Sequence, residues 1–133
     1  MTNNKYDTYD VMSLYWFYEN DKQNGKPRPG VIVGFSEDGQ ALVNKITTKY
    51  KNKSSFIKLQ YYPIKNMEAA GLSRASYIDI KSTRKIKLRS LKKRGSLAIE
   101  DIIDLAEFKR SYPQRKRELA MKIERIREDR ERY

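Results

Sequence analysis

The sequence predicts an α+β fold that is mainly β, with strands through its first three quarters and helix at its end. Three observations carry this. Tyr9 to Tyr18, YDVMSLYWFY, is dense in aromatic and β-favouring residues and reads as a strand. Val31-Ile32-Val33 and Ala41 to Ile46 flank the turn Ser36-Glu37-Asp38-Gly39 and read as a hairpin. Ala98 to Arg110, AIEDIIDLAEFKR, repeats its apolar residues at helical spacing.

Composition bounds the rest. The 133 residues suit one domain with an appendage. Apolar residues make up 38% and charged residues 35%, so a core is affordable only where Val, Ile, Leu and aromatics concentrate, before the C-terminal tail. The net charge of +12 points to a polyanionic partner, nucleic acid ahead of a membrane surface. Cysteine is absent, which excludes disulfides, thiol catalysis and Cys-ligated zinc. Histidine is absent too, which removes the commonest general base and metal ligand. No apolar run approaches a membrane span and no signal peptide is visible, so a cytoplasmic protein is expected.

In order, residues 1–9 are polar. Along the first strand Val11, Ser13, Tyr15 and Phe17 share one face, and Met12, Leu14, Trp16 and Tyr18 the other. Both faces are apolar. The strand is therefore expected to be covered on both sides, or to offer one side to an interface; exposed Tyr15 and Phe17 would suit base stacking. Glu19 to Pro29 is rich in turn formers and reads as a loop. The hairpin then returns its second strand so that Thr47 and Thr48 come close to Arg28, about twenty residues earlier in the chain. A guanidinium facing hydroxyls at the open end of a hairpin suits a phosphate.

From Asn44 to Met67 there are six lysines (45, 49, 51, 53, 58 and 65) and no acid. Lys49 to Ser55 reads as an exposed basic loop, and Phe56 to Tyr62 as a strand. Pro63 to Ala70 reads as a turn or short helix ending at Gly71. Strands are predicted at Ser76–Ile80 and near Lys85–Leu88, with a turn at Arg94-Gly95. Lys81 to Arg94 holds eight basic residues and no acid, which marks a second anion-binding stretch. In the helix, Ile99, Ile102, Ile103 and Ala106 are expected to dock on the sheet. Ser111 is expected to cap a second helix, with Pro113 in its first turn, running to about Arg132. Its apolar stripe, Leu119, Ile123 and Ile126, is narrow.

These residues suit metal-free RNA cleavage. The 2′-hydroxyl attacks the adjacent phosphate and the 5′-oxygen leaves. Arg28 would stabilise the phosphoryl oxygens, and Thr47 or Thr48 would orient the phosphate. No cofactor or metal is called for. Glu19, Asp21 and Asp79 are the acids available to take the 2′-hydroxyl proton. The plainer reading also stands: an Arg between prolines is often only a loop residue, and Thr-Thr an ordinary strand end.

The chain resembles the MazF/PemK family of toxins, especially its PemK-like branch. The resemblance rests on the YDV strand opening, Lys26-Pro27-Arg28-Pro29 before Val31-Ile32-Val33, and Lys45-Ile46-Thr47-Thr48. It continues through Glu68-Ala69-Ala70-Gly71-Leu72-Ser73-Arg74-Ala75-Ser76 and Gly95-Ser96-Leu97, and covers about residues 9–110. It implies an SH3-like small barrel with a C-terminal helix packed on it, over residues 1–110. Residues 111–133 are expected to form an extra charged helical tail. It also implies an endoribonuclease acting on single-stranded RNA as an mRNA interferase, a homodimer, and neutralisation by a cognate antitoxin. By position, Arg28 matches the family's catalytic arginine and Thr47 its catalytic threonine, with Thr48 the alternative. Ser76 falls at a family serine. The expected RNA-binding set is Lys26, Lys45, Lys49, Lys51, Lys53, Ser76, Lys81, Arg84, Tyr15 and Phe17. Gly30 departs from the family, which has a branched or small apolar residue there. Two other readings compete: a non-catalytic nucleic-acid-binding module of a phage or mobile element, and a protein-interaction module that assembles through the C-terminal helix.

Overall fold

Six antiparallel strands curl into a half-barrel, and a long helix follows them. The structure is a computed structural model and describes residues 5–18 and 21–132. The strands are β1 (Asp10–Tyr18), β2 (Asp21–Phe35), β3 (Ala41–Thr47), β4 (Tyr61–Pro63), β5 (Tyr77–Ile86) and β6 (Lys92–Ser96). Their order across the sheet is β4-β5-β3-β2-β1-β6. Helix α1 (Ser55–Lys58) is a single turn, and α2 (Ile99–Glu131) runs for 33 residues.

The predicted hairpin is present as β2 and β3, but β2 begins earlier than expected. The segment read as a loop, Glu19 to Pro29, is strand from Asp21 onward and pairs with β1, Leu14 against Arg28 and Trp16 against Lys26. Two prolines fit here for a positional reason. β3 pairs with β2 only from Gly30 onward. At Pro27 and Pro29, β2 therefore has one neighbour, and a missing N–H breaks no second ladder. This half-paired stretch carries Arg28.

Three further expectations are corrected. Phe56 to Tyr62 is not one strand. Ser54 accepts the Ile57 N–H at 3.3 Å and starts the short helix α1, leaving Tyr61–Pro63 as β4. The two predicted strands at Ser76–Ile80 and Lys85–Leu88 are one, β5, which ends at Ile86 before a 3₁₀ turn at Leu88–Ser90. Arg94-Gly95 is not a turn but part of β6, with Gly95 paired to Val11. Gly71 does close its turn as expected, with φ of 70°.

The curled sheet packs a core on each face. One contains Val11, Val31, Ile46, Ile78 and Leu97, closed by Leu105 of α2. The other contains Met12, Leu14, Trp16, Ile32 and Val43. Val11 and Met12 show that β1 is covered on both sides at its start. Further along, Trp16 stays buried while Tyr15, Phe17 and Tyr18 are exposed.

Of the four residues predicted to dock helix α2, only Ile102 packs on the core, and Ala106 is exposed with Ile99 and Ile103. Asp101 and Leu105 are buried and Ile102 and Phe108 pack beside them, whereas Ile99 and Ile103 are 75% and 63% exposed. The cause is Asp101. Its carboxylate accepts the Tyr62 hydroxyl at 2.6 Å and the N–H groups of Lys65 and Asn66 at 2.9 Å. These three bonds fix the rotation of the helix. Burial, and then this bond, push the Tyr62 phenol well above its ordinary pKa.

The predicted second helix is also absent as a separate element, because α2 continues through Pro113. A proline inside a helix removes one N–H and crowds the preceding turn. Arg115 compensates. It donates to the Phe108 carbonyl at 2.8 Å, to Ser111 Oγ at 3.0 Å and to the Leu59 carbonyl at 2.7 Å. Its guanidinium lies 3.9 Å from the Phe108 ring centre. The tail beyond is helical and mostly exposed, as its sparse apolar pattern implies. Among the described residues, no helix is long and apolar enough to cross a membrane.

Candidate functional site

Arg28 sits where the second core face changes from apolar to cationic. Strand register dictates this. Leu14 pairs with Arg28, Gly30 with Lys45, and Val43 with Arg84. Residues two apart on a strand share a face. The face that is Met12, Ile32 and Val43 at one end thus becomes Arg28, Lys45 and Thr47 at the other. Gly30 lies at the changeover, and its missing side chain leaves room for Val43.

Two cavities meet at Arg28. One, of about 150 Å³, is lined by Lys26, Pro27, Arg28, Pro29, Ile46, Thr47, Thr48 and Lys49. The hairpin thus brings Arg28 to both threonines, as its geometry predicted. Thr47 is buried, and its Oγ1 accepts the Lys49 N–H at 3.1 Å, which leaves its own proton free to donate. Thr48 is exposed. The second cavity, of about 180 Å³, is lined by Trp16, Phe17, Tyr18, Arg28, Lys45, Ser82 and Arg84. There the Arg84 guanidinium lies 4.6 Å from the Trp16 ring centre and donates to the Phe17 carbonyl at 2.5 Å. A third and larger cavity, about 490 Å³, adjoins the first at Thr48 and Lys49 and extends to Tyr50, Lys51, Lys53 and Tyr77. The rings of Tyr50 and Tyr77 are 4.2 Å apart.

These cavities form one track. Seven cations line it (Lys26, Arg28, Lys45, Lys49, Lys51, Lys53 and Arg84), and no acid among the described residues does. The charges destabilise one another. Arg28 and then Lys49 hold the Lys26 ammonium below its ordinary pKa. Lys45 is half-buried; burial lowers its pKa most, and Arg28 adds to the effect. Such a cluster binds anions well, because a bound phosphate relieves the repulsion.

Some predicted residues lie elsewhere. Ser76 is buried and donates to the Arg74 carbonyl at 2.9 Å; its neighbours Ala75 and Tyr77 line the third cavity, but Ser76 does not. Lys81 stands over the Tyr112 ring of α2, 5.2 Å from its centre. Tyr15 and Phe17 are exposed and pack edge to face, with ring centres 5.0 Å apart. The Tyr15 hydroxyl exchanges hydrogen bonds with the backbone of Gly25. Both rings line a cavity with Lys85 and Lys87, and Phe17 also borders the Arg28 site.

Of the three acids considered as bases, Glu19 lies outside the described residues. Asp21 is turned onto the start of its own strand, accepting from Gln23 and Asn24. Asp79 is buried and accepts from Gln60 Nε2 and the Lys81 N–H. Neither lines the two cavities that share Arg28.

Sequence reasoning missed Trp16, Tyr50, Tyr77 and Ser82. Trp16 was detectable, since strand alternation puts it on the Leu14 face, which pairs with Arg28. Tyr50 and Tyr77 are far apart in sequence. They meet because Thr47 pairs with Tyr77, and no local pattern announces that pairing.

No protein-family model matches the chain, and no curated protein matches it.

Proposed function

We propose that the chain is a metal-independent endoribonuclease that cleaves single-stranded RNA at Arg28, acting as a toxin of the MazF/PemK type. The observation that carries this reading is the acid-free cationic track centred on one guanidinium and two hydroxyls. Arg28 would hold two phosphoryl oxygens through its fork, and the Thr47 hydroxyl would donate to one of them. The flanking cavities are lined by aromatic rings and cations, which suits splayed single-stranded nucleotides rather than a duplex. The 2′-oxygen attacks phosphorus, the 5′-oxygen leaves, and the products carry a 2′,3′-cyclic phosphate and a 5′-hydroxyl. Motif order along residues 9–110 supports the family assignment and its SH3-like barrel. The proposed homodimer, cognate antitoxin and cytoplasmic setting rest on that resemblance alone.

A second reading is binding without cleavage, on the same fold. It is favoured by one observation: no carboxylate lines the cavities that share Arg28. One experiment separates the two. Single-stranded RNAs of varied sequence are incubated with the full chain in EDTA, and both binding and strand scission are followed. Scission that weakens in Thr47→Ala supports the nuclease. Tight binding with intact RNA supports the binding module.

A further inference from the structure

Arg28 is the one residue common to the two central cavities. A phosphate held by its fork therefore has the threonine hydroxyls on one side and Lys45 on the other. Lys45 precedes Thr47 by two residues on β3 and so shares its face. It reaches the second cavity beside Arg84 and Ser82. An in-line displacement needs attacking and leaving oxygens on opposite sides of phosphorus. The two-sided layout provides for that, and it puts an ammonium on the side where no hydroxyl of Thr47 or Thr48 stands.

We propose that the Lys45 ammonium donates the proton that the leaving 5′-oxygen takes up. The inference rests on the nuclease reading above. The bond from the 2′-oxygen to phosphorus forms, and the 2′-hydroxyl proton passes to water. The bond from phosphorus to the 5′-oxygen breaks, and that oxygen takes a proton from Lys45 Nζ. Water then reprotonates the amine. No redox partner or metal takes part in these steps.

The surroundings of Lys45 suit an acid. From β2 it faces Arg28 and Lys26, from β5 Arg84 and Asp79, from β1 Tyr18, and from the loop after β3 Lys53. Burial and the charges of Arg28, Lys53 and Arg84 loosen its proton, and Asp79 alone among these opposes them. An ammonium with a lowered pKa gives up a proton more readily than an ordinary lysine. In a chain without histidine it is the one amine that lines the cavity on the far side of Arg28 from the threonines.

The test uses an RNA that the wild-type chain cuts, and the same RNA with sulfur in place of the 5′-bridging oxygen at the mapped cut. A thiolate leaves without a proton. Lys45→Ala is expected to lower kcat about 10²-fold or more on the oxygen substrate, with little change in KM. On the sulfur substrate its kcat should return close to wild type. Lys45→Arg, which keeps the charge but holds its proton, should stay as slow as Lys45→Ala on oxygen. The wild-type kcat should fall at alkaline pH on the oxygen substrate and not on the sulfur one, a readout that needs no variant. Equal losses on both substrates in a folded variant, or an alkaline fall shared by both, overturn the role of Lys45 and leave the nuclease intact. RNA left uncut by the wild type overturns the nuclease and this step together.

Discussion

Gly30 and Val43 meet across β2 and β3 more closely than any side chain at position 30 permits. A Cβ on Gly30 would stand 2.5 Å from Val43 Cγ1 and 3.1 Å from Leu14 Cδ2. Val43 thereby seals the apolar face just before it turns cationic, two residues from Arg28.

Gly30→Val should therefore act on both stability and site. Overpacking of this kind costs about 1–3 kcal/mol. Urea unfolding should show the loss as a lower midpoint with an unchanged slope. An unfolding midpoint equal to wild type would mean that the sheet absorbs the side chain and that Gly30 has no such packing role.

Asp101 should rank among the most sensitive positions outside the site. Asp101→Ala leaves the Tyr62 hydroxyl and two backbone N–H groups without their acceptor, a loss of about 3 kcal/mol or more. Tyr62→Phe removes one bond and should cost about 1.5–3 kcal/mol. Denaturant titrations of both variants check the order, with Asp101→Ala the less stable.

Arg115 should hold α2 together across Pro113. In Arg115→Ala, amide exchange in the last two turns before Pro113 and beyond it should quicken, while the sheet keeps its protection. Arg115→Lys should not restore protection, because one ammonium cannot serve the carbonyls of Phe108 and Leu59 with a planar fork. Adding Pro113→Ala should not replace these contacts, because the helix bond it returns goes to the Lys109 carbonyl and not to those of Phe108 and Leu59.

Stability should rise between neutral pH and about pH 10 in the absence of ligand. Lys26 and Lys45 have folded pKa values below their ordinary 10.5. As pH rises the folded state sheds these protons before the unfolded chain does, so the unfolded state binds more protons and stability increases. Tyr61 and Tyr62 run the other way. Both phenols are raised above 10.0, mainly by burial, so the stability they supply declines above that pH. Melting temperatures across this range should show the rise in wild type and a smaller one in Arg28→Met, which lacks the main charge acting on Lys26.

The parts of the fold with local signals were legible in the sequence. Alternation and turn chemistry gave β1 and the β2–β3 hairpin, and that hairpin alone brought Arg28 to Thr47 and Thr48. What escaped depended on contacts distant in sequence. Pro27 and Pro29 suggested a loop, and only the late start of β3 pairing makes them acceptable in β2. The apolar pattern of α2 spans a wide arc, and the choice of docked stripe falls to Asp101 and Tyr62, 39 residues apart. Pro113 suggested a helix start, but α2 continues through it, with Arg115 bracing the turn before it. Gly30, which no local pattern required, leaves room for Val43. Within the site, the lysines at 26, 45 and 49 were anticipated, whereas the Trp16–Arg84 stack and the Tyr50–Tyr77 pair required the sheet register.

The most direct measurement is the cleavage of a mixed-sequence single-stranded RNA by the full chain in EDTA, beside folded Arg28→Ala and Arg28→Lys. Wild type should leave 5′-hydroxyl and 2′,3′-cyclic phosphate ends. Arg28→Ala should be slower by about 10²–10³, and Arg28→Lys should recover only part of that, since it keeps the charge without the fork. RNA that stays intact with wild type, or an Arg28→Ala variant that cuts at the wild-type rate, contradicts the account.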